Sequence, residues 1–193
     1  MLNIGLTGNI GSGKTLVSEL FKELGIPVFH ADTEAKKLFE DDRIRERIRE
    51  LFGNEVFSVS GKIISSKLAE IVFNDREKLD WLNSIIHPEV RRNYGEWCRL
   101  LHDAPYNLYE AAILYESGHY LEMDRVICVV APEELRIRRV MERDDVTREE
   151  VIRRMANQWP EERKAAMADF VINNDSVERP ELQVKEVHQR LVG

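Results

Sequence analysis

The sequence predicts an α/β fold, a five-stranded parallel sheet flanked by helices. Three observations point there. Short apolar runs alternate along the chain with stretches of helical spacing, the pattern of strand–helix–strand units. Most of those runs are continuously apolar, as in strands covered on both faces, and do not alternate with polar residues. The first run also leads straight into a glycine-rich turn that opens a helix.

In chain order, the first strand is Leu2 to Leu6. After the glycine-rich turn, Leu16, Val17, Leu20, Phe21 and Leu24 fall on one helical face, and Gly25 stops that helix. A second strand, Pro27 to His30, follows. From about Thr33 to His102 the rhythm breaks, with helical patterns at Arg43 to Phe52, Ser66 to Phe73, Arg76 to Ile86 and Glu89 to His102. A helical insertion over about 33–102 is expected. Tyr106 to Ala112 and Arg125 to Ala131 supply two further strands, and Asp169 to Asn173 a fifth. Between the last two, Glu133 to Arg143 reads as a helix and Asp144-Asp145 as a turn. Thr147 and Glu150 form a capping box that starts the next helix at Arg148. This arginine-rich helical hairpin, about 133–163, is expected to act as a lid on a single domain spanning 1–193.

Composition narrows the function classes. With 193 residues, 43 % hydrophobic and 33 % charged, the chain can bury a continuous core. A formal charge of −7 argues against a protein that coats nucleic acid, although a focused positive cleft for an anionic small ligand is compatible with it. Cys98 and Cys128 are far apart and in no metal-type spacing, so neither a disulfide framework nor a zinc site is expected. No stretch reaches membrane-spanning length and no basic leader is seen, so the cytoplasm is the expected compartment by elimination. A monomer and a small homo-oligomer are equally compatible with the sequence.

The turn after the first strand reads Gly8-Asn9-Ile10-Gly11-Ser12-Gly13-Lys14-Thr15, a complete G-x-x-x-x-G-K-[ST] motif in the right context. Its glycines let the backbone curl so that successive N–H groups form an anion nest. The helix that follows presents unpaired N–H groups and its positive dipole end. Lys14 is placed to reach the β- and γ-phosphates of ATP, and the Thr15 hydroxyl to join a Mg²⁺ shell. A nucleoside triphosphate site is implied.

Two further features bear on phosphoryl transfer. Asp32 follows the second strand at the same sheet edge. It is placed either to accept a hydroxyl proton or help hold a metal, or only to cap the next helix. Arg136, Arg139 and Arg143 share one helical face, suited to phosphate contacts from a lid that also excludes water. A solvated, salt-bridged face is the alternative.

At this point the chain resembles the dephospho-CoA kinase family over nearly its whole length. The resemblance is carried by Ile4-Gly5-Leu6-Thr7-Gly8 through Lys14, by Pro27-Val28-Phe29-His30-Ala31-Asp32, by Leu82-Asn83 with His87-Pro88, and by Ile113-Leu114-Tyr115-Glu116-Ser117-Gly118. Arg139 to Asp144, Gln158 and Ala168-Asp169-Phe170 with Asn174 complete it. Departures are His30 for the first aspartate of an Asp-Ala-Asp signature, Asn9 for a glycine, Glu110 for Asp, and Ala112 for Pro. Ser65 stands where an arginine is expected, and Arg136 where a lid glutamine is common. The resemblance implies a P-loop kinase that phosphorylates the ribose 3′-hydroxyl of dephospho-CoA with ATP and Mg²⁺, the final step of coenzyme A synthesis. It also implies roles. Gly8, Gly11, Ser12, Gly13, Lys14, Thr15 and Leu16 hold the phosphates, Asp32 is the base or metal-orienting carboxylate, Arg139 and Arg143 clamp phosphate, and Asn174 lies beside the adenine. His87 faces the acceptor pocket, or is structural before its proline. The alternatives are another small P-loop kinase, for a nucleoside monophosphate or a sugar acid, and a nucleotide-binding switch without transfer chemistry.

Overall fold

The computed structural model describes residues 1–175 and 177–193, with every side chain but that of Phe73. From the N-terminus the elements are β1 (Leu2–Thr7), α1 (Lys14–Glu23), β2 (Val28–His30), α2 (Ala31–Leu38), α3 (Asp42–Phe52), α4 (Ser65–Phe73) and α5 (Arg76–Arg99). There follow β3 (Tyr106–Glu110), β4 (Arg125–Val130), α6 (Glu133–Asp144), α7 (Arg148–Met155), α8 (Glu161–Met167), β5 (Phe170–Asn173) and α9 (Pro180–Val192). The chain divides into two compact units, residues 1–30 with 101–193, and residues 31–100.

In the first unit the five strands form one sheet in the order β2-β3-β1-β4-β5, every neighbouring pair parallel. β1 is the central strand. Strand alternation divides its residues between two covered faces. Ile4 and Leu6 join Tyr106, Leu108, Ile127, Val129 and Ile172 in a buried cluster closed by Val17 and Phe21 of α1 and Val184 and Val187 of α9. Each such side chain contributes about 1.5–3 kcal/mol on leaving water, so this face carries much of the unit's stability. On the opposite face the Leu114 side chain fills the space that a side chain on Gly5 would need. Cys128 lies on that face too, fully buried, and burial pushes its thiol up to about 12. It behaves as a small hydrophobe.

Local signals fix the helix ends. α1 closes with a Schellman pattern: Ile26 N–H donates to the Phe21 carbonyl at 3.1 Å and Gly25 N–H to that of Lys22 at 2.9 Å. Phe21 and Ile26 both enter the core, so the cap also aims β2 back along the sheet. Thr147 and Glu150 form the expected capping box, and α7 begins at Arg148.

The second unit is helical. Ile44, Ile48 and Phe52 of α3, Leu68 and Val72 of α4, and Leu82, Ile85, Ile86, Val90 and Tyr94 of α5 form its buried faces. Here the structure differs from the sequence reading. The two helices expected on either side of His87-Pro88 are one continuous helix, Arg76–Arg99, with Pro88 inside it. An internal proline removes one hydrogen bond and crowds the preceding turn, at a cost of about 3 kcal/mol. The apolar stripe runs on through that point to Val90 and Tyr94, and its burial offsets the loss. Among the described residues no helix is long and apolar enough to cross a membrane.

Tyr106, fully buried in β3, ties the sheet to α9. Its hydroxyl lies 2.7 Å from His188 Nδ1, its ring meets Phe21 edge to face at 6.4 Å, and burial raises its phenol pKa well above the ordinary value. Tyr106→Phe removes that polar bond while keeping the ring. A loss of about 1 kcal/mol is expected in urea denaturation, with the affinity for nucleotide unchanged.

Candidate functional site

The glycine-rich turn leaves the carboxyl end of the central strand β1 and enters α1 at Lys14. Ligands of open α/β sheets bind at this edge, where the connections leave in opposite directions. Here β1 leads to β2 on one side and β4 to β5 on the other. Three glycines of the turn are required by close approach, Gly8 (φ 152°) against the Val129 carbonyl among them. Gly11 (φ 80°) lies against the backbone of Arg136, and Gly13 (φ 95°) against the Asn174 side chain; a β-carbon at any of the three positions would overlap those groups.

A backbone that turns its N–H groups inward directs several carbonyls outward, and each needs a donor. Lys14 Nζ, almost fully buried, donates to the Gly8 carbonyl at 2.9 Å and reaches that of Asn9 at 3.5 Å. Asn174 Nδ2, just beyond β5, donates to the Ser12 carbonyl at 2.8 Å. Arg139 of α6 donates to the Gly11 carbonyl at 3.4 Å and to that of Asn174 at 3.1 Å. The turn is thus built from β1 and α1 but braced by α6 and by the end of β5. At its other end Thr15 and Leu16 lie exposed in the first turn of α1, where backbone N–H groups lack intrahelical acceptors.

The structure therefore brings Gly8, Gly11, Ser12, Gly13, Lys14, Thr15, Leu16, Arg139 and Asn174 together in one unit. Arg136 and Arg143 of α6 are engaged elsewhere. Arg143 pairs with its neighbour Asp144, Nε to Oδ1 at 2.7 Å. Asp144 also takes Arg154 at 2.8 Å. The Arg143 guanidinium, helped by Arg154, holds the Asp144 carboxyl below its usual range. Arg136 is 4 % exposed; its Nε donates to the Ala131 carbonyl at 2.9 Å and faces Glu161 at 3.4 Å. Burial raises the Glu161 carboxyl above its ordinary value, with Arg136 opposing that shift. Ile137 and Val140 of α6 are buried with Val151 of α7. The three arginines of one helical face thus have three separate settings, because α6 packs its first two turns onto the glycine-rich turn.

Asp32, Ser65 and His87 belong to the second unit. Asp32 is exposed in the acidic first turn of α2, one position inside the helix and not at its cap. His87 is half-buried in α5 directly before Pro88, and Ser65 is exposed at the start of α4.

Residues that the sequence reading gave no role complete the sheet edge. Glu110, 7 % exposed, ends β3 beside β1. It faces His30, its register partner on β2, with Oε2 2.8 Å from His30 Nδ1. In the sequence the two are separate departures from a family pattern; their pairing follows from strand register, which needs the topology. Lys164 is fully buried in α8 and pairs with Glu116 at 2.7 Å. Nothing in the local sequence distinguishes that lysine from a solvated one.

Comparison with known proteins agrees with this geometry. A family model described as dephospho-CoA kinase matches residues 2–179. The chain is 38 % identical to a dephospho-CoA kinase of Chlorobium chlorochromatii, over 99 % of this chain and 94 % of that one. A crystal structure from Thermus thermophilus superposes with a TM-score of 0.87 at 38 % identity, covering 100 % of this chain and 98 % of that one. A shikimate kinase from Aquifex aeolicus, 20 % identical with all of both chains covered, gives 0.50 and speaks for the P-loop kinase fold alone. On the match over residues 2–179 and the near-complete coverage of its Chlorobium relative, the chain belongs to the dephospho-CoA kinase family.

Proposed function

We propose that the protein transfers the γ-phosphoryl group of ATP to the ribose 3′-hydroxyl of dephospho-CoA, giving coenzyme A and ADP in the last step of coenzyme A synthesis. The observation that carries this reading is the braced glycine-rich turn at the end of β1 in a chain of this family. The turn accepts the ATP phosphates on the N–H groups of residues 11 and 13–16, the Ser12 N–H being held by the Asn9 carbonyl at 3.0 Å. Lys14, now on the carbonyls of Gly8 and Asn9, exchanges those contacts for phosphate oxygens.

In the transfer, the 3′-oxygen forms a bond to the γ-phosphorus as the bridging bond to the β-phosphate breaks, and ADP leaves with the electron pair. The hydroxyl proton passes to the Asp32 carboxylate, or to solvent water while Asp32 orients the acceptor. Asp32 stands exposed in the first turn of α2. Arg139, already at the Gly11 carbonyl, supplies positive charge on the same side of the turn. His87 lines the acceptor side within the second unit.

Mg²⁺ requires oxygen ligands and usually keeps several waters beside substrate phosphates. Thr15 offers a hydroxyl of the right kind in the exposed first turn of α1. Bound there, the ion would supply positive charge against the phosphates. The reaction belongs in the cytoplasm, carried out by a monomer or a small homo-oligomer.

Two measurements test the reading. ADP release with Mg-ATP should rise on adding dephospho-CoA, with one phosphate gained by mass, and should not rise with AMP, UMP or gluconate. Preference for any of those three acceptors would refute the assignment. Asp32→Asn should lower kcat about 10²-fold with little change in the thermal midpoint, since the residue is exposed. Unchanged kcat would remove Asp32 from the chemistry.

A further inference from the structure

The first half of the glycine-rich turn is held from outside by a dipeptide lying between α7 and α8. Gln158 Oε1 accepts from the Ile10 N–H at 2.8 Å. Beside it, Asn9 Nδ2 donates to the Trp159 carbonyl at 3.1 Å. Adjacent residues of one segment thus grip adjacent residues of the other.

The dipeptide is itself anchored on the segment that follows β3. Gln158 Nε2 reaches the Ala112 carbonyl at 3.4 Å, and Trp159 N–H donates to Glu116 Oε1 at 2.8 Å. Lys164 donates to the same Ala112 carbonyl at 2.9 Å and to the same carboxylate oxygen at 2.7 Å. The Trp159 ring stacks parallel on Tyr115, with 7° between the planes, and the Arg163 guanidinium lies 3.4 Å from its centroid. A fully buried ammonium paired with a largely buried carboxylate is costly to break, because either partner alone would be left as an uncompensated charge. The anchor is therefore firm. The Gln158–Ile10 bond is neutral and only partly buried, which makes it the adjustable contact of the chain.

We propose that Gln158 is a positioning residue for the nucleotide's phosphates, acting through the Ile10 N–H. It deepens the proposed function and rests on the reading that residues 8–16 hold phosphate. The bond fixes the peptide plane between Asn9 and Ile10, and with it the direction in which the turn presents Gly11 and the groups after it. Without that bond the turn has to be ordered by the incoming ligand, and the ordering cost is subtracted from affinity. The contact to Ala112 keeps the amide oxygen turned toward Ile10, since the amide nitrogen is the donor there.

The test is Mg-ADP binding by titration calorimetry to the full chain and to Gln158→Ala and Gln158→Met, with thermal midpoints of the ligand-free proteins. Methionine keeps the volume and removes both hydrogen bonds. Both variants should raise Kd for ADP about tenfold, equivalent to about 1.4 kcal/mol. The KM for ATP should rise in step, while kcat stays near that of the parent and the ligand-free midpoint shifts by a few degrees at most. A parent-like Kd in Gln158→Met would overturn the proposal by assigning the role to packing. So would a lowered midpoint with unchanged Kd in both variants, the mark of a merely structural residue. Failure of the parent chain itself to bind Mg-ADP would overturn the phosphate reading underneath, and it is told apart because no variant is needed to see it.

Discussion

A glycine-rich turn curled this tightly has to dispose of its carbonyls, and most of this edge of the sheet follows from that requirement. The carbonyls of Gly8, Gly11 and Ser12 are taken by Lys14, Arg139 and Asn174, which come from α1, α6 and the end of β5. α6 has to lie against the turn for Arg139 to arrive, so its Ile137 and Val140 are buried, and Arg136 is drawn inside with Glu161 as its counter-charge. β5 has to pair with β4 for Asn174 to reach Ser12. The order of strands, the packing of a charged helix and a buried ion pair all answer to one short stretch of backbone.

The outline of this arrangement was legible in the sequence because its signals are local. The continuous apolar runs at Leu2, Tyr106 and Arg125, the capping box at Thr147, and the stop at Gly25 each depend on neighbours a few residues away, and the strands and helices follow them. The glycine-rich motif was legible for the same reason. Pro88 misled because its local cost is real but is met by an apolar stripe whose value depends on α5's partners in the folded unit. The Glu110–His30 pair and the Lys164–Glu116 pair were not legible, since each joins residues that only the sheet topology brings together. The fates of Arg136, Arg139 and Arg143 could not be separated by helical spacing alone. What separates them is depth in the packing, which falls from one turn of α6 to the next.

Residues 1–30 with 101–193 hold the braced turn and Lys14, Arg139 and Asn174, whereas 31–100 holds Asp32, Ser65 and His87. Asp32 is linked to the sheet by one of the shortest connections in the chain, since α2 begins at the residue after β2 ends. His30, just before that junction, is held by Glu110 through the strand register. Along the chain a single alanine separates Asp32 from His30.

The approach of Gly11 to α6 has a consequence for how this sequence can change over generations. The obstacle to a β-carbon at position 11 is the backbone of Arg136, with its side chain uninvolved. No replacement at position 136 can therefore relieve the crowding, because every residue carries the same carbonyl. Position 136 remains free to exchange one polar side chain for another so long as Glu161 and the Ala131 carbonyl find suitable company. Descendants of this chain can thus rewrite the interior of the helix face, while the turn it supports has no second spelling at that site.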